Sequence, residues 1–149
     1  MAINALMILC EQLKKQEQQA VAEFSQARQQ LASFEHQLRQ LEDYRHNYML
    51  QAMERGSDGM LAAGFHQYQS FIQTIEKAET EQQQSVVQLR TNVERKRQIW
   101  LDLANRHKAL EQLIERQRQQ KAQKQARAEQ KLLDEYASMQ FVRQSLFPD

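Results

Sequence analysis

Residues 68–114 read YQSFIQTIEKAETEQQQSVVQLRTNVERKRQIWLDLANRHKALEQLI, and their spacing decides the fold. One set of positions recurs in alternating steps of four and three residues over about six heptads, which is the repeat of a coiled-coil helix. We call these the seam positions: Tyr68, Ile72, Ile75, Glu79, Gln82, Val86, Leu89, Val93, Lys96, Trp100, Leu103, His107, Leu110 and Ile114. A helix of this kind buries only a narrow stripe and needs a second helix against it.

A second helical pattern precedes this stretch and supplies that partner. Its seam positions are Leu6, Leu9, Leu13, Ala20, Phe24, Ala27, Leu31, Phe34, Leu38, Leu41 and Tyr48. Between the two patterns lies Gly56-Ser57-Asp58-Gly59, followed by Gly64. We expect Gly56 to take the left-handed conformation that closes a helix, and Ser57 or Asp58 to cap the next one.

These patterns predict an all-α fold, a long antiparallel two-helix coiled coil or helical hairpin with an overhanging C-terminal helix. The first helix is expected over about 3–55, the turn over about 56–64 and the second helix over about 65–145. With the turn centred near position 58, Leu41 faces Ile75. The first helix is then used up by about residue 113, where the overhang begins. The whole chain, 1–149, is predicted to be a single coiled-coil unit.

Composition excludes several functional classes. Of 149 residues only 3 are Gly and 1 is Pro, and the net charge is +1, so no strong overall field attracts nucleic acid or a membrane. The single cysteine, Cys10, allows no internal disulfide and is interpreted as a small apolar filler. No apolar run approaches the ~20 residues of a bilayer-spanning helix, so no membrane insertion is expected.

No catalytic or cofactor-binding residues are predicted. The sequence has no glycine-rich phosphate loop and no nucleophile with a visible base. Asp43 and His46 lie three residues apart on one helix face, but a shielded metal cage needs ligands from more helices. We therefore expect no metal site, no cofactor and no enzyme activity.

Beside the seam, a flank stripe formed by Phe71, Ile75, Ala78 and Gln82 lies on the second helix. The partner helix is thin and is expected to cover this stripe only in part, so a docking surface is one interpretation. The alternative interpretation is a widened core near the hairpin tip, where Tyr44 and Tyr48 also pack. Spacing alone favours the widened core, whereas the family resemblance described below implies a docking surface.

The predicted overhang has two parts of different chemistry. Residues 116–131 are basic and almost free of large apolar side chains. Such a stretch suits a solvated or protein-docking helix, and nucleic-acid binding through it is the less favoured alternative because aromatic side chains for base stacking are absent. The end of the chain turns amphipathic again at Leu132, Leu133, Tyr136, Met139, Val142 and Leu146. Its apolar face has nothing to pack on within the hairpin, so a partner is expected.

The residues flanking the turn resemble the FliJ family, the coiled-coil component of the bacterial flagellar type III export apparatus. The resemblance rests on LEDYRHNY at 41–48, the glycine-containing turn, and YQSFIQTIEKA at 68–78. It also includes the chain length and the hairpin pattern. An unrelated coiled-coil scaffold or tether stays open as the alternative.

The resemblance implies a non-enzymatic part in flagellar protein export, and hence in flagellum assembly and motility. FliJ-like proteins resemble the central stalk of rotary ATPases, dock with the export ATPase FliI, contact the cytoplasmic domain of the export gate FlhA, and help cycle export chaperones. They are cytoplasmic and associate peripherally with the inner face of the cell membrane at the export apparatus. The gate-contacting stripe falls here on Phe71, Ile75 and Ala78, with Gln82 a departure from the usual fourth residue. The stalk analogy assigns the ATPase contact to Leu6, Leu13, Arg116, Arg118, Lys121 and Lys124.

Overall fold

The computed structural model describes residues 3–57, 59 and 61–147, and contains two helices, α1 (Ile3–Ser57) and α2 (Ala62–Leu146). The helices pack against each other as an antiparallel hairpin, and the described residues contain no strand, so the predicted fold class is confirmed. Packing contacts divide the chain into unit 1 (Met1–Lys15 with Ala104–Asp149) and unit 2 (Gln16–Leu103). The expectation of a single coiled-coil unit stays a prediction.

Small and β-branched side chains fill the seam of unit 2. Ala20 and Ala27 on α1 and Ile75 and Val86 on α2 are each less than a tenth exposed. Alanine at two of these positions lets the helix backbones approach closely, while the branched residues supply most of the apolar area. All four lie at predicted seam positions. The seam is narrow, since no large side chain among the described residues is completely buried.

Cross-helix side-chain pairs set the register of unit 2. Phe24 stacks on Trp100 with ring centroids 5.7 Å apart and ring planes at 12°. Lys96, a cation at a seam position, lies 3.2 Å from the carboxylate of Glu23. Tyr48 stacks on Tyr68, and this pair is centred on position 58, as predicted. The pairing of Phe24 with Trp100 is centred four residues later, which is about one helical turn.

The turn uses a different glycine from the one expected. Gly56 is helical and belongs to the last turn of α1, whereas Gly59 has φ of 88° and donates its backbone N–H to the carbonyl of Gly56 at 3.2 Å. The prediction that Gly56 adopts the left-handed conformation is therefore wrong. A helix can continue through one exposed glycine, so the reversal falls on the next one. The predicted caps lie outside the described residues, since position 58 and the side chain of Ser57 are not described.

In unit 1 the short N-terminal part of α1 packs on α2. Ile114 is 7% exposed, and Leu6 and Leu13 are half-buried. From residue 118 to residue 147 every described side chain is exposed, although the backbone stays helical as far as Leu146. This stretch is the C-terminal overhang.

Candidate protein-docking surfaces

Five rings near the turn form an aromatic cluster in unit 2: Tyr44, Tyr48, Phe65, Tyr68 and Phe71. The Phe71 ring lies 4.3 Å from the Tyr48 ring and 5.9 Å from the Tyr44 ring, the latter in an edge-to-face arrangement at 67°. The expected packing of Tyr44 and Tyr48 beside Phe71 is thus observed. Aromatic pairs of this geometry contribute about 0.5–1.5 kcal/mol beyond their buried area. Tyr44 is 55% exposed and Phe65 is 52% exposed, so the cluster has an outward face.

The four residues of the flank stripe differ in how much surface they offer. Phe71 and Ala78 are half-buried, whereas Ile75 is only 5% exposed. Ile75 is therefore a core residue of the hairpin, which agrees with the widened-core interpretation of the stripe. Phe71 combines both roles, because one side of its ring packs on the tyrosines and the remainder is accessible.

Gln82, the fourth residue of the stripe, is held by α1. Its side-chain amide donates to the carbonyl oxygen of Phe34 at 3.0 Å and to the side-chain oxygen of Gln37 at 3.1 Å. A buried backbone carbonyl that gains such a donor is stabilised in its packed position. The amide of Gln82 is therefore already used within the hairpin, and what it presents to a partner is the outer edge of its side chain.

One turn earlier, an ion pair that the sequence analysis did not anticipate crosses the seam. Glu79 is 7% exposed and accepts a 2.6 Å hydrogen bond from Nε of Arg45. This hydrogen bond raises the pKa of Arg45. The signal was present in the sequence, because a glutamate at a seam position requires a cation from the facing helix. The axial offset between the helices decides which basic residue of α1 pairs with Glu79.

The residues expected to contact the ATPase all belong to unit 1. Arg116, Arg118, Lys121 and Lys124 are exposed, and none of them forms an ion pair with the described carboxylates. One guanidinium nitrogen of Arg118 lies 3.8 Å from the sulfur of Met7, which places that arginine over the N-terminal turns of α1. Uncompensated cations on an exposed helix favour an acidic partner surface.

The apolar end of the overhang is uncovered. The six residues predicted to form its amphipathic face are each more than half exposed. Phe141 and Phe147, which lie outside the predicted apolar face, are exposed as well, at 71% and 77%. Several large apolar side chains without a packing partner are typical of a helix that docks on another protein.

Metal-ligand residues meet at one place only among the described residues. The pair Asp43 and His46 gains no third ligand there, whereas Cys10, His107 and Glu111 come together in unit 1. Partial burial raises the pKa of the Cys10 thiol above its ordinary value of 9.0, and the nearby Glu111 carboxylate raises it further.

The fold defines the class: a helical-hairpin coiled coil, here with several large apolar and basic side chains uncovered. The family model described as "Flagellar FliJ protein" matches residues 2–146. The chain is also 30% identical over 140 residues to the flagellar FliJ protein of Escherichia coli (strain K12), covering 94% of this chain and 95% of that protein. No solved structure matches the chain significantly.

The chain therefore belongs to the FliJ family and is a component of flagellum biogenesis and flagellar protein export. Among the described residues, neither helix contains a stretch with the length and hydropathy needed to cross a bilayer.

Proposed function

We propose that this chain links the flagellar export ATPase ring to the export gate and assists export chaperone cycling, as a non-enzymatic docking protein at the inner face of the cell membrane. The observation that carries the proposal is that each of the two units leaves side chains uncovered, and that the two sets differ in chemistry. Unit 1 offers exposed cations and an apolar helix face, whereas unit 2 offers the edge of an aromatic cluster. Two dissimilar surfaces favour two different partners.

The export gate is the proposed partner of the flank stripe. Phe71 and Ala78 provide accessible apolar surface, and Ile75 supports them from the seam. Gln82 is fixed by its hydrogen bonds to α1 and presents its outer edge. Aromatic side chains held rigid by their neighbours make effective binding anchors, because little conformational entropy is lost when the partner arrives.

Replacing Phe71 with Ala tests this surface, and replacing Phe65 with Ala is its matched control. Both rings belong to the aromatic cluster and lie on α2, but only Phe71 lies in the stripe. We expect Phe71→Ala to weaken binding to the cytoplasmic domain of the gate by about tenfold or more. Phe65→Ala should have little effect, and circular dichroism should show both variants helical. Equal losses of affinity in two variants that both stay helical would contradict the assignment of the gate contact to the flank stripe.

The export ATPase is the proposed partner of unit 1, through Leu6, Leu13 and the four exposed cations Arg116, Arg118, Lys121 and Lys124. The leucines are half-buried against α2, so the cations supply most of the accessible surface. Electrostatic attraction between such a surface and an acidic partner mainly accelerates association and weakens with salt.

Reversing two charges tests this surface. We expect Lys121→Glu with Lys124→Glu to weaken binding to the ATPase and to remove most of its salt dependence. The double variant Lys14→Glu with Lys15→Glu is the matched control, because those lysines are exposed, belong to the same unit and give the same change in net charge. Unchanged ATPase binding by the first variant, or equal weakening by both, would contradict the proposed surface. The nucleic-acid alternative instead predicts steeply salt-dependent binding to DNA or RNA.

A further inference from the structure

Three side chains of unit 1 with metal-binding atoms converge across the two helices. The sulfur of Cys10 on α1 and the ligand atoms of His107 and Glu111 on α2 all lie within 4.8 Å of one another. Nε2 of His107 is 3.2 Å from a carboxylate oxygen of Glu111. His107 and Glu111 are four residues apart, so they project from the same face of α2. Cys10 closes the set from the opposite helix.

The chemistry of this set suits Zn²⁺. Thiolate, imidazole and carboxylate are the three side-chain ligands that zinc accepts in proteins, usually in tetrahedral geometry. Tetrahedral ligands at about 2.0–2.3 Å from the metal are about 3.3–3.8 Å apart, so the cluster has to close by about 1 Å. The carboxylate can make that movement, since the Glu111 side chain is 60% exposed. Cys10 and His107 are more restrained, because Cys10 is half-buried and the His107 side chain is 15% exposed.

A surface cleft gives an ion access to the cluster. Cys10 and Glu111 line it together with Glu11, Glu115 and Arg118, so the cleft reaches two of the three ligands directly, and His107 is not among its lining residues. Three carboxylates around one cleft favour a cation, and only one guanidinium opposes them. With three protein ligands, the fourth zinc position is left to a water molecule or to Glu11. The site thus has three suitable ligands, one of which, Glu111, is free to move, and a cleft through which an ion can enter.

We propose that Cys10, His107 and Glu111 bind one Zn²⁺ ion, which clamps the N-terminal part of α1 onto α2 within unit 1. This assigns Cys10 a role beyond that of a small apolar filler, and it replaces the expectation that the chain has no metal site. A metal held from both helices binds only the packed form of unit 1, so it stabilises that form by mass action. The inference does not depend on which partners the two units contact.

The test uses the full-length chain, reduced and freed of metal with a chelator that is then removed. Co²⁺ serves as the spectroscopic probe for zinc, since a thiolate ligand gives a charge-transfer band and tetrahedral coordination gives intense visible bands. We expect one Co²⁺ per chain with both features, displaced by one equivalent of Zn²⁺. Zn²⁺ should also raise the midpoint of thermal unfolding.

Three ligand variants and one control identify the site. Cys10→Ser should abolish the charge-transfer band, and His107→Gln and Glu111→Gln should each weaken Co²⁺ binding about tenfold or more. Glu115→Gln is the matched control for the loss of one carboxylate charge from the same cleft, and it should weaken Co²⁺ binding far less than Glu111→Gln does. Glu111 is exposed, so its variant keeps the hairpin and remains informative if another variant unfolds. A wild type without the charge-transfer band, one metal per two chains, or unchanged binding by Glu111→Gln would each overturn the proposal.

Discussion

At the scale of single residues, charged side chains at seam positions select their partners. Glu79 is nearly buried and is satisfied by Arg45, whereas the pair of Arg90 with Glu35 is longer, at 3.6 Å, and more exposed. Replacing Arg45 with Met leaves the Glu79 carboxylate in the seam without its cation. We expect Arg45→Met to lower the free energy of unfolding clearly more than Arg90→Met does, as measured by urea titration.

The double variant Arg45→Met with Glu79→Met completes a double-mutant cycle, which measures the interaction between these two residues. Removing both charges leaves no orphaned carboxylate, so part of the loss should be recovered relative to Arg45→Met alone. Equal effects of the Arg45 and Arg90 substitutions would show that seam position adds nothing to the strength of an ion pair in unit 2.

Cys10 leads to a prediction about pH. Its raised pKa, caused first by partial burial and then by Glu111, reduces the fraction of thiolate, which is the reactive form. In the presence of a chelator, alkylation at pH 8 should be slower in the folded chain than in the chain unfolded by urea. The midpoint of its pH profile should lie above 9.0.

The raised pKa of Cys10 also makes the stability of the fold depend on pH. Because the folded-state pKa is the higher one, Cys10 contributes most below the pKa of the unfolded chain, and this contribution is lost as pH rises through the folded-state pKa. Removing the Glu111 charge with Glu111→Gln should speed alkylation of the folded chain. An alkylation rate equal in the folded and unfolded chains would contradict the assignment.

At the scale of elements, the hairpin depends on one left-handed glycine. Gly59 has φ of 88° and nothing lies within 4 Å of where its Cβ would be, so an alanine there is strained by backbone conformation alone. We expect Gly59→Ala to lower the free energy of unfolding by about 1–2 kcal/mol in a urea titration. Gly56→Ala is the matched control. Gly56 is helical and equally uncrowded, so its alanine variant should be neutral or more stable by up to about 1 kcal/mol.

The helical pattern shows what a sequence of this kind determines. Every side chain described as buried occupies a predicted seam position: Ala20, Ala27, Ile75, Glu79, Val86 and Ile114. Heptad spacing predicts which face of each helix is covered, because the helix repeat is rigid, but it fails at the seam position Leu9, which is 47% exposed. It fixes the axial offset only to about one turn, and long side chains reach over that distance. The contacts of Arg45 with Glu79, and of Cys10 with His107 and Glu111, depend on this offset, so the heptad pattern does not predict them.

The residues of the proposed docking surfaces were predictable only in part from the sequence. The aromatic cluster followed from the quoted residues on either side of the turn, since antiparallel helices joined by a short loop bring their near ends together. The burial of Ile75 within the flank stripe could not be predicted from the sequence. A residue shared by the seam and its flank is covered or uncovered by small rotations of the helices. For the overhang, the absence of seam residues between 117 and 130 was the decisive signal, and every described side chain from 118 onward is exposed.

At the scale of the whole molecule, the exposure of the overhang predicts that its removal affects partner binding but hardly affects stability. A chain ending at residue 120 loses only side chains that pack on nothing within the described structure, so its free energy of unfolding should change by less than about 0.5 kcal/mol. A chain ending at residue 103 also loses Ile114, whose burial contributes about 1.5–3 kcal/mol.

Urea unfolding followed by circular dichroism compares these two truncations with the full chain. The chain ending at residue 120 should also bind the export ATPase more weakly, because it lacks Lys121, Lys124 and the apolar end of the overhang. Loss of stability in this chain as large as in the shorter one would mean that the overhang folds back on the hairpin in solution. If the chain ending at residue 120 binds the ATPase as strongly as the full chain does, the ATPase contact involves only residues up to 120.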